Sequence, residues 1–139
     1  MREDLKHREL TDKIIAAAIA VHRELGPGFL ESIYEEALCL ELQAMGIAFE
    51  RQKAVPIFYR GQKIGEHRLD LLVADAVVVE LKAIKALEDI FFATERSYMK
   101  ACGKESGLLF NFAAMPLTVK RVGRERPQAD ASGDQKEGA

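Results

Sequence analysis

Hydrophobic positions in the first third of the chain repeat at the spacing of an α-helix. One stripe recurs every three or four residues and consists of Ile14, Ala18, Val21 and Leu25. It predicts a helix that Thr11 caps and that ends at Gly26-Pro27. A second helix is predicted from about Leu30 to Met45, where apolar residues form a wide face.

The period then changes to two, which is the spacing of β-strands. Alternating segments at 47–51 and 55–59 precede a turn at residues 60–62. The remaining predicted elements are strands at 63–73 and 77–82, a helix at 87–102, and strands at 108–112 and 117–122. This order of two helices, three or four strands, one helix and two strands predicts an α/β (α+β) fold in a single domain.

Composition limits the number of domains and the class of partner. A chain of 139 residues with 48% hydrophobic and 30% charged residues suits one domain with one core. The net charge is −2, and residues 1–122 carry 17 Lys and Arg against 18 Asp and Glu. Strong non-specific binding to nucleic acid needs an excess of basic residues. Any nucleic-acid role must therefore rest on a local basic patch or on a metal ion.

The same features predict a cytoplasmic protein without membrane contact. No apolar run reaches the ~18–20 residues of a membrane span, and the N-terminus lacks the apolar region of a signal peptide. Cys39 and Cys102 are far apart and have no His or Cys at metal-ligand spacing. Residues 1–10 are expected to be an N-terminal extension and 11–122 the domain. Residues 123–139 lack large apolar side chains and are predicted to form a disordered tail.

The segment DLLVADAVVVELK (70–82) carries charges on strands that are otherwise aliphatic. Glu80 and Lys82 are two residues apart and therefore project from one face of their strand. On the preceding strand, alternation predicts that Leu69 and Leu71 face away from Asp70. Asp70 lies opposite Glu80 only if the hairpin closes through residues 74–76, because a two-residue turn shifts the pairing by one.

Two interpretations of these charges remain open at this point. Opposed carboxylates repel each other unless a cation lies between them, and Mg²⁺ prefers such oxygen ligands. A lysine beside them could orient water or neutralise charge on a phosphate, so the pattern suits metal-assisted phosphodiester hydrolysis. Spacing alone favours the plainer interpretation, which is the solvated face of an amphipathic hairpin.

A second acidic cluster begins the second predicted helix, in GPGFLESIYEEAL. Glu31 lies in the first turn, where the helix dipole favours an anion. Glu31, Tyr34 and Leu38 share one face of the helix. Periodicity by itself favours an N-terminal acid next to a tyrosine that packs on the core.

The spacing Gly28-x-x-Glu31-x-x-Tyr34 resembles the motif of the GxxExxY proteins, a group of the PD-(D/E)XK nuclease superfamily. The resemblance extends over about residues 10–122 and includes four blocks in order: VHRELGPGFLESIYEEAL (21–38), RLDLL (68–72), VVVELKA (77–83) and GLLFNF (107–112). It implies a restriction-endonuclease-like core, in which helices flank a mixed central sheet.

The resemblance also implies a set of site residues. Asp70 and Glu80 match the acidic metal ligands, and Lys82 matches the lysine of the superfamily. The backbone carbonyl of Leu81 is an expected further ligand, and Glu31 matches a helix-borne acid that reaches the metal, often through water. Asp70, Glu80, Lys82 and Glu31 are therefore the predicted catalytic residues. Mg²⁺ (or Mn²⁺) is the implied cofactor, and nucleic acid is the implied partner.

One segment departs from the pattern of the relatives. Many of them carry a glutamine four residues before a tyrosine on the helix after the triplet, whereas Thr94 precedes Tyr98 here. Because threonine is too short for the same amide contacts, the departure affects nucleic-acid positioning more than metal binding. Weak nucleic-acid contacts are predicted for Arg68, Arg96, Tyr98 and Lys100.

The three basic residues of that set each have a competing interpretation. Arg68 shares a face with Asp70, so it either forms an ion pair with Asp70 or Glu80 or contacts a phosphate. Arg96 and Lys100 are one helical turn apart and belong either to a phosphate-binding stripe or to a solvated helix face.

Two functions follow as hypotheses. The first is a metal-dependent nuclease that hydrolyses phosphodiester bonds of DNA or RNA. The second is a catalytically weak or inactive protein of the nuclease fold that binds nucleic acid or protein. The small size of the chain and Thr94 support the second. Under either hypothesis, a homodimer or a protein partner is the expected means of choosing the target.

Overall fold

A mixed five-stranded sheet lies between two helical layers in the computed structural model, which describes residues 2–124. The helices are α1 (Arg2–Leu25), α2 (Glu31–Ala44) and α3 (Asp89–Cys102). The strands are β1 (Phe49–Tyr59), β2 (Gln62–Val73), β3 (Val77–Lys82), β4 (Ser106–Asn111) and β5 (Thr118–Gly123). The predicted α+β single domain with a mixed central sheet is confirmed. From residue 125 onward, the predicted tail lies outside the described residues.

The strands follow one another across the sheet in chain order, from β1 to β5. All neighbours are antiparallel except β3 and β4, which are parallel and are joined by the crossover helix α3. One apolar core lies under α1 and α2 and includes Ile14, Tyr34 and Leu38. A second core lies under α3 and includes Met99 and Val78. The sheet is therefore covered on both faces.

Helix α1 begins at Arg2, so the prediction that Thr11 caps it was wrong. Thr11 is buried inside the helix, where its hydroxyl donates to the carbonyl of Arg8 at 3.0 Å. Leu10 extends the apolar stripe by one turn towards the N-terminus and packs against the core. Neither α1 nor any other helix within residues 2–124 is long and apolar enough to cross a bilayer.

The two alternating segments predicted at 47–51 and 55–59 belong to one strand, β1. Gln52 in its middle has a φ of 49°, a left-handed conformation. The neighbouring residues stay in register with β2, but no backbone pairing joins Gln52 to Asp70. Across this break, Leu69 packs in the core under α3, whereas Leu71 packs in the core under α1 and α2. The prediction that Leu69 and Leu71 share a face was therefore wrong, because β2 changes face at Asp70.

The hairpin between β2 and β3 closes as the metal-site hypothesis requires. Val73 pairs with Val77, so the connection consists of three residues, 74–76. Ala74 and Asp75 have φ values of 52° and 54°, and these left-handed conformations make the turn tight. Lys104 donates to the carboxylate of Asp75 at 3.1 Å.

Strand β4 lies directly against α3 at Gly107, which is buried. A Cβ atom at Gly107 would lie 2.5 Å from Oε2 of Glu95 and 2.8 Å from Sδ of Met99. Glu95 is 1% exposed and Met99 is fully buried, so neither side chain has free space to move into. The absence of a side chain at Gly107 therefore makes room for a buried carboxyl group.

We expect Gly107→Ala to lower the free energy of unfolding by ~1–3 kcal/mol, because the added methyl overfills this contact. Urea denaturation measures the effect. Gly65→Ala is the matched control, since a Cβ there meets no atom within 4 Å, and its cost should stay within ~0.5 kcal/mol. Glu95→Ala should reduce the cost of Gly107→Ala. An equal cost in both backgrounds would contradict this account.

Candidate active site

The backbone pairing between β2 and β3 ends where the two acids begin. The last backbone pair is Leu71 with Val79, and Asp70 and Glu80 lie immediately beyond it. There the N–H of Leu81 donates to Oδ2 of Asp70 at 2.8 Å, and the N–H of Asp70 donates to Oε2 of Glu80 at 3.4 Å. Side-chain carboxylates thus replace strand carbonyls as acceptors, and the two acids are held side by side at the point where the strands part.

Burial makes both acids poor anions in the metal-free protein. Glu80 is 8% exposed, and its burial together with the neighbouring Asp70 carboxylate raises its pKa to about 8. Burial also raises the pKa of Asp70, against the opposing hydrogen bond from Leu81, while Glu35 and Glu31 add to the rise. Burial and mutual repulsion therefore disfavour the ionised forms of both acids in the absence of a cation.

Lys82 lies on the α3 side of the sheet, next to these acids. Its charge lowers the pKa of both Asp70 and Glu80, although burial outweighs this effect. Its ammonium lies 5.2 Å from the centroid of the Phe91 ring, within the range of a cation–π contact. The ammonium thus has an aromatic neighbour on α3 and acts electrostatically on both carboxylates.

Asn111, at the end of β4, fixes the chain that leaves Lys82. Its Nδ2 donates to the carbonyl of Ile84 at 2.9 Å, and its Oδ1 accepts from the N–H of Ile84 at 3.1 Å. The N–H of Phe112 donates to the carbonyl of Lys82 at 2.8 Å. Asn111 is 2% exposed, so this buried amide positions the end of the strand that carries Glu80 and Lys82.

The spacing of Gly28, Glu31 and Tyr34 has a structural explanation. The hydroxyl of Tyr34 donates to the carbonyl of Gly26 at 2.6 Å and accepts from the N–H of Phe29 at 3.1 Å. Gly28 has a φ of 120°, which residues with a side chain rarely adopt. The buried tyrosine therefore pins the loop before α2, and Glu31 begins the helix from a fixed position.

Glu31 faces the same end of the sheet as the acids. Its Oε2 accepts a hydrogen bond from the N–H of Ala83, the residue after Lys82, at 3.2 Å. Its side chain is exposed, and its charge contributes to the raised pKa of Asp70. The structure thus brings Asp70, Glu80 and Lys82 together and places Glu31 at their rim.

Glu35 is a nearby acid that the sequence did not single out. It is 8% exposed and forms an ion pair with Arg51 at 3.1 Å and a hydrogen bond with Nε2 of Gln52 at 3.0 Å. These contacts tie α2 to β1 opposite Asp70, at the left-handed residue. A periodic signal was present, because Glu35 lies three and seven residues before the apolar Leu38 and Leu42 and so falls on the buried face of α2. The partner Arg51 lies on another element, and periodicity along the helix does not identify it.

Glu95 is a second acid that sequence reasoning missed. Neither carboxyl oxygen has a hydrogen-bond partner in the described part of the chain. Burial, followed by the charges of Glu80 and Asp70, raises its pKa to about 10. One signal was present: Phe91, Glu95 and Met99 recur at intervals of four on α3, so an acid occupies the buried stripe.

The predicted nucleic-acid contacts are dispersed. Arg68 donates to the carbonyl of Gln52 at 3.1 Å and lies 3.9 Å from Glu66. Of the two alternatives for Arg68, the ion pair with Asp70 or Glu80 is therefore absent among the described side chains, and the phosphate contact stays a prediction. Within residues 7–124, no hydrogen bond or ion pair joins Arg96 or Lys100 to the site acids. Lys100 is exposed and Arg96 is half-buried.

Tyr98 and Thr94 complete the predicted set on α3. The ring of Tyr98 stacks on His67, with centroids 3.5 Å apart and an interplanar angle of 8°. Burial, together with the charge of Lys82, lowers the pKa of His67, so this ring stays neutral at pH 7. Thr94 is half-buried. One face of Tyr98 is therefore already occupied by protein.

The donor set fits a hard divalent cation that is bound mainly by two carboxylates and water. Asp70 is half-buried and Glu80 is buried, and the two adjoin each other and repel each other as anions. Among the described residues, however, no group of three or more His, Cys, Asp or Glu side chains is arranged to hold a metal ion. Glu31 instead binds a backbone N–H. A ligand set of Asp70, Glu80 and the Leu81 carbonyl fits these observations better than a set of three carboxylates.

The raised pKa of Glu95 makes the stability depend on pH. Its ordinary value is 4.5 and its value in the folded chain is about 10, so the folded state holds an extra proton between these values. Stability therefore falls as the pH rises through this range. We expect Glu95→Gln to remove this contribution, so that its advantage over wild type grows between about pH 5 and pH 8. The growth should approach ~1.4 kcal/mol per pH unit.

Urea denaturation in EDTA at several pH values measures this difference without interference from metal. Glu24→Gln, an exposed acid of α1, is the control and should leave the pH profile of the wild type unchanged. Parallel profiles for wild type and Glu95→Gln would show that Glu95 is not a buried neutral acid.

Comparisons with known proteins agree with this geometry. A family model described as the PD-(D/E)XK nuclease superfamily matches residues 8–122. The crystal structure of SSO0001 aligns with a TM-score of 0.54 at 13% identity, which shows similarity of fold alone. The alignment covers 91% of this chain but only 64% of that one. No curated protein matches the sequence.

The closer assignment to the GxxExxY group stays a prediction that rests on the Gly28, Glu31 and Tyr34 motif. The match of the family model is broader, since it includes both helices before the sheet, the hairpin with its acids, and the last strand. The chain belongs to the PD-(D/E)XK nuclease superfamily.

Proposed function

We propose that this chain is a divalent-metal-dependent nuclease that hydrolyses phosphodiester bonds of DNA or RNA. The observation that carries the proposal is the adjacency of the half-buried Asp70 and the buried Glu80 at the point where β2 and β3 part. Lys82 lies two residues after Glu80 on the same strand. Glu31 accepts a hydrogen bond from the N–H of Ala83, directly after Lys82. Nucleases of this superfamily generally use divalent metals, which supports the proposal.

Asp70, Glu80 and the backbone carbonyl of Leu81 would hold the ion, which we propose to be Mg²⁺ or Mn²⁺. When bound, such an ion polarises a phosphate and lowers the pKa of a bound water. The two carboxylates supply the hard oxygen donors that this class of ion prefers. The repulsion between the two carboxylates favours binding of a cation, because the cation neutralises their negative charge.

Lys82 and Glu31 act around this centre. The ammonium of Lys82, which has the Phe91 ring as a neighbour, can donate to a phosphate oxygen or to the attacking water, and its charge offsets negative charge that develops on the phosphate. Glu31 keeps the backbone at Ala83 in place and adds an oxygen acceptor at the rim for an ordered water. Arg96 and Lys100 are proposed as peripheral phosphate contacts, and Tyr98 as a support through its stack on His67.

The described cysteines are consistent with the proposed cytoplasmic location. Cys39 and Cys102 are both free thiols, as expected for a reducing compartment.

A binding module that keeps the nuclease fold is the alternative function. The observation that favours it is Thr94, which stands where many relatives carry the longer side chain of glutamine.

Cleavage of plasmid DNA, single-stranded DNA and single-stranded RNA with Mg²⁺ or Mn²⁺ tests the proposal. We expect the wild type to cleave at least one substrate and EDTA to stop the reaction. Glu80→Gln should abolish cleavage, and Lys82→Ala should slow it ~10²-fold or more because a proton-transfer or charge-stabilising group is lost. Lys120→Ala, an exposed lysine of β5, is the matched control and should cleave as the wild type does.

Titration calorimetry with Mn²⁺ separates metal binding from catalysis. Wild type should bind the ion, and the isosteric change Asp70→Asn should remove binding while circular dichroism shows an unchanged fold. Equal cleavage by wild type and Lys82→Ala would remove the catalytic role of Lys82. Metal binding without cleavage of any substrate would favour the binding module.

A further inference from the structure

The hairpin of β1 and β2 extends well beyond the rest of the sheet. β2 pairs with β3 only through residues 71–73, so residues 53–69 pair only with each other. We call residues 53–69 the arm. The strand that carries Asp70 continues directly into it, and therefore the base of the arm adjoins the site acids.

The base of the arm is anchored on α3. Val55 is 2% exposed and Leu69 is fully buried, and both belong to the core under this helix. His67 stacks on Tyr98, as described above. Because aromatic and apolar contacts fix its base, the arm has a defined direction relative to Asp70.

The tip of the arm is a tight turn at Arg60 and Gly61. Their φ values are 49° and 79°, and two successive positive values are typical of the two-residue turns that join hairpin strands. A bulge precedes the turn, because Ile57 pairs with Gly65 whereas Phe58 pairs with Lys63. The tip is therefore a well-defined hairpin turn.

Large apolar side chains are exposed at this tip. Phe58 and Tyr59 are each 60% exposed and Ile64 is 65% exposed. Folding of the arm does not require them, since its buried contacts lie at the base. Exposed aromatic residues that are grouped at the end of a projection are typical of a binding surface.

The arm is basic within a chain whose net charge is −2. It carries Lys53, Arg60, Lys63 and Arg68 against a single acid, Glu66. Glu66 is shared between Lys63 at 3.3 Å and Arg68 at 3.9 Å. Three of the four basic residues of the arm form ion pairs, Lys53 with Glu50 and Lys63 and Arg68 with Glu66. Among the side chains of residues 7–124, Arg60 forms no ion pair, and it lies 5.4 Å from the centroid of the Tyr59 ring.

Exposed aromatic rings beside Arg60 match the chemistry of single-stranded nucleic acid. Bases stack on aromatic side chains, and Arg and Lys neutralise the phosphates between them. In a duplex the faces of the bases are already stacked on one another. We infer that the arm binds single-stranded DNA or RNA through Phe58, Tyr59 and Arg60 and directs it towards Asp70 and Glu80.

This inference rests on the proposed function, for which it names the substrate class. The eight residue steps from Gln62 to Asp70 along β2 span ~26 Å in an extended strand. The bases that stack on the tip are therefore several nucleotides away from the bond that is cut. A strand shorter than this span should be held by the arm or by the site, but not by both.

Fluorescence anisotropy with labelled single-stranded DNA and RNA of about 20 nucleotides, in EDTA, tests the inference without cleavage. The double change Phe58→Ala with Tyr59→Ala should weaken binding about tenfold or more, because stacking of each base contributes substantially. Leu40→Ala is the matched control, since Leu40 is 59% exposed on α2, and its affinity should equal that of the wild type. Circular dichroism and the melting temperature should be unchanged in all variants.

Salt titration tests the basic part of the arm. Loss of one phosphate contact lowers the slope of log K against log salt concentration by about 0.7 for a single strand. Arg60→Ala should show this reduction, whereas Lys120→Ala on β5 should not.

Three outcomes would overturn the inference. These are equal affinity of wild type and the arm variants, tighter binding of duplex than of single strands, and a change from dimer to monomer in the arm variants with unchanged nucleic-acid binding. The last would identify the arm as a protein interface. The anisotropy assay measures binding alone. Its result therefore tests the arm even if the protein cleaves no substrate in the earlier experiment.

Discussion

Negative charge buried between two parting strands is the constraint on which the rest of this structure depends. Asp70 and Glu80 accept backbone N–H groups that a regular ladder would direct to carbonyls. The surroundings adjust to this charge in separate ways. Glu35 is paired with Arg51 across the left-handed Gln52, and Glu95 keeps its proton. A cation that binds at this site reduces the repulsion between the carboxylates.

The motif at the start of α2 shows that a structural role and a functional role can lie in one segment. Tyr34 is a core residue that stacks on Phe112 with ring centroids 4.4 Å apart. The same ring carries the hydroxyl that fixes the loop before the helix. Glu31 then takes its position from this loop and reaches the backbone after Lys82. The packing interpretation and the site interpretation of this motif are therefore not alternatives, because the first produces the second.

Most of the fold followed from periodicity, and the site followed from it only in part. The order of elements was predictable, because apolar spacing is a local property. The length of the turn between β2 and β3 was left open by the sequence, and the structure shows that it has three residues. The change of face at Asp70 was not predictable, since it depends on a left-handed Gln52 on another strand. Arg68 illustrates the same limit: alternation placed it beside Asp70, but its contacts are Glu66 and the carbonyl of Gln52. Glu95 was visible as an acid on an apolar stripe, and only the fold shows that Gly107 makes room for it.

The turn at residues 74–76 has a consequence for how chains of this kind can diverge. Pairing of Val73 with Val77 fixes which side chains of β3 face α3. A shift of this pairing by one residue would move Glu80 and Lys82 to the face under α1 and α2 and would exchange the buried valines between the two cores. A longer loop that keeps Val73 opposite Val77 would leave Asp70 and Glu80 on one face. The pairing of Val73 with Val77, more than the number of residues between the two acids, is therefore what keeps the acids side by side.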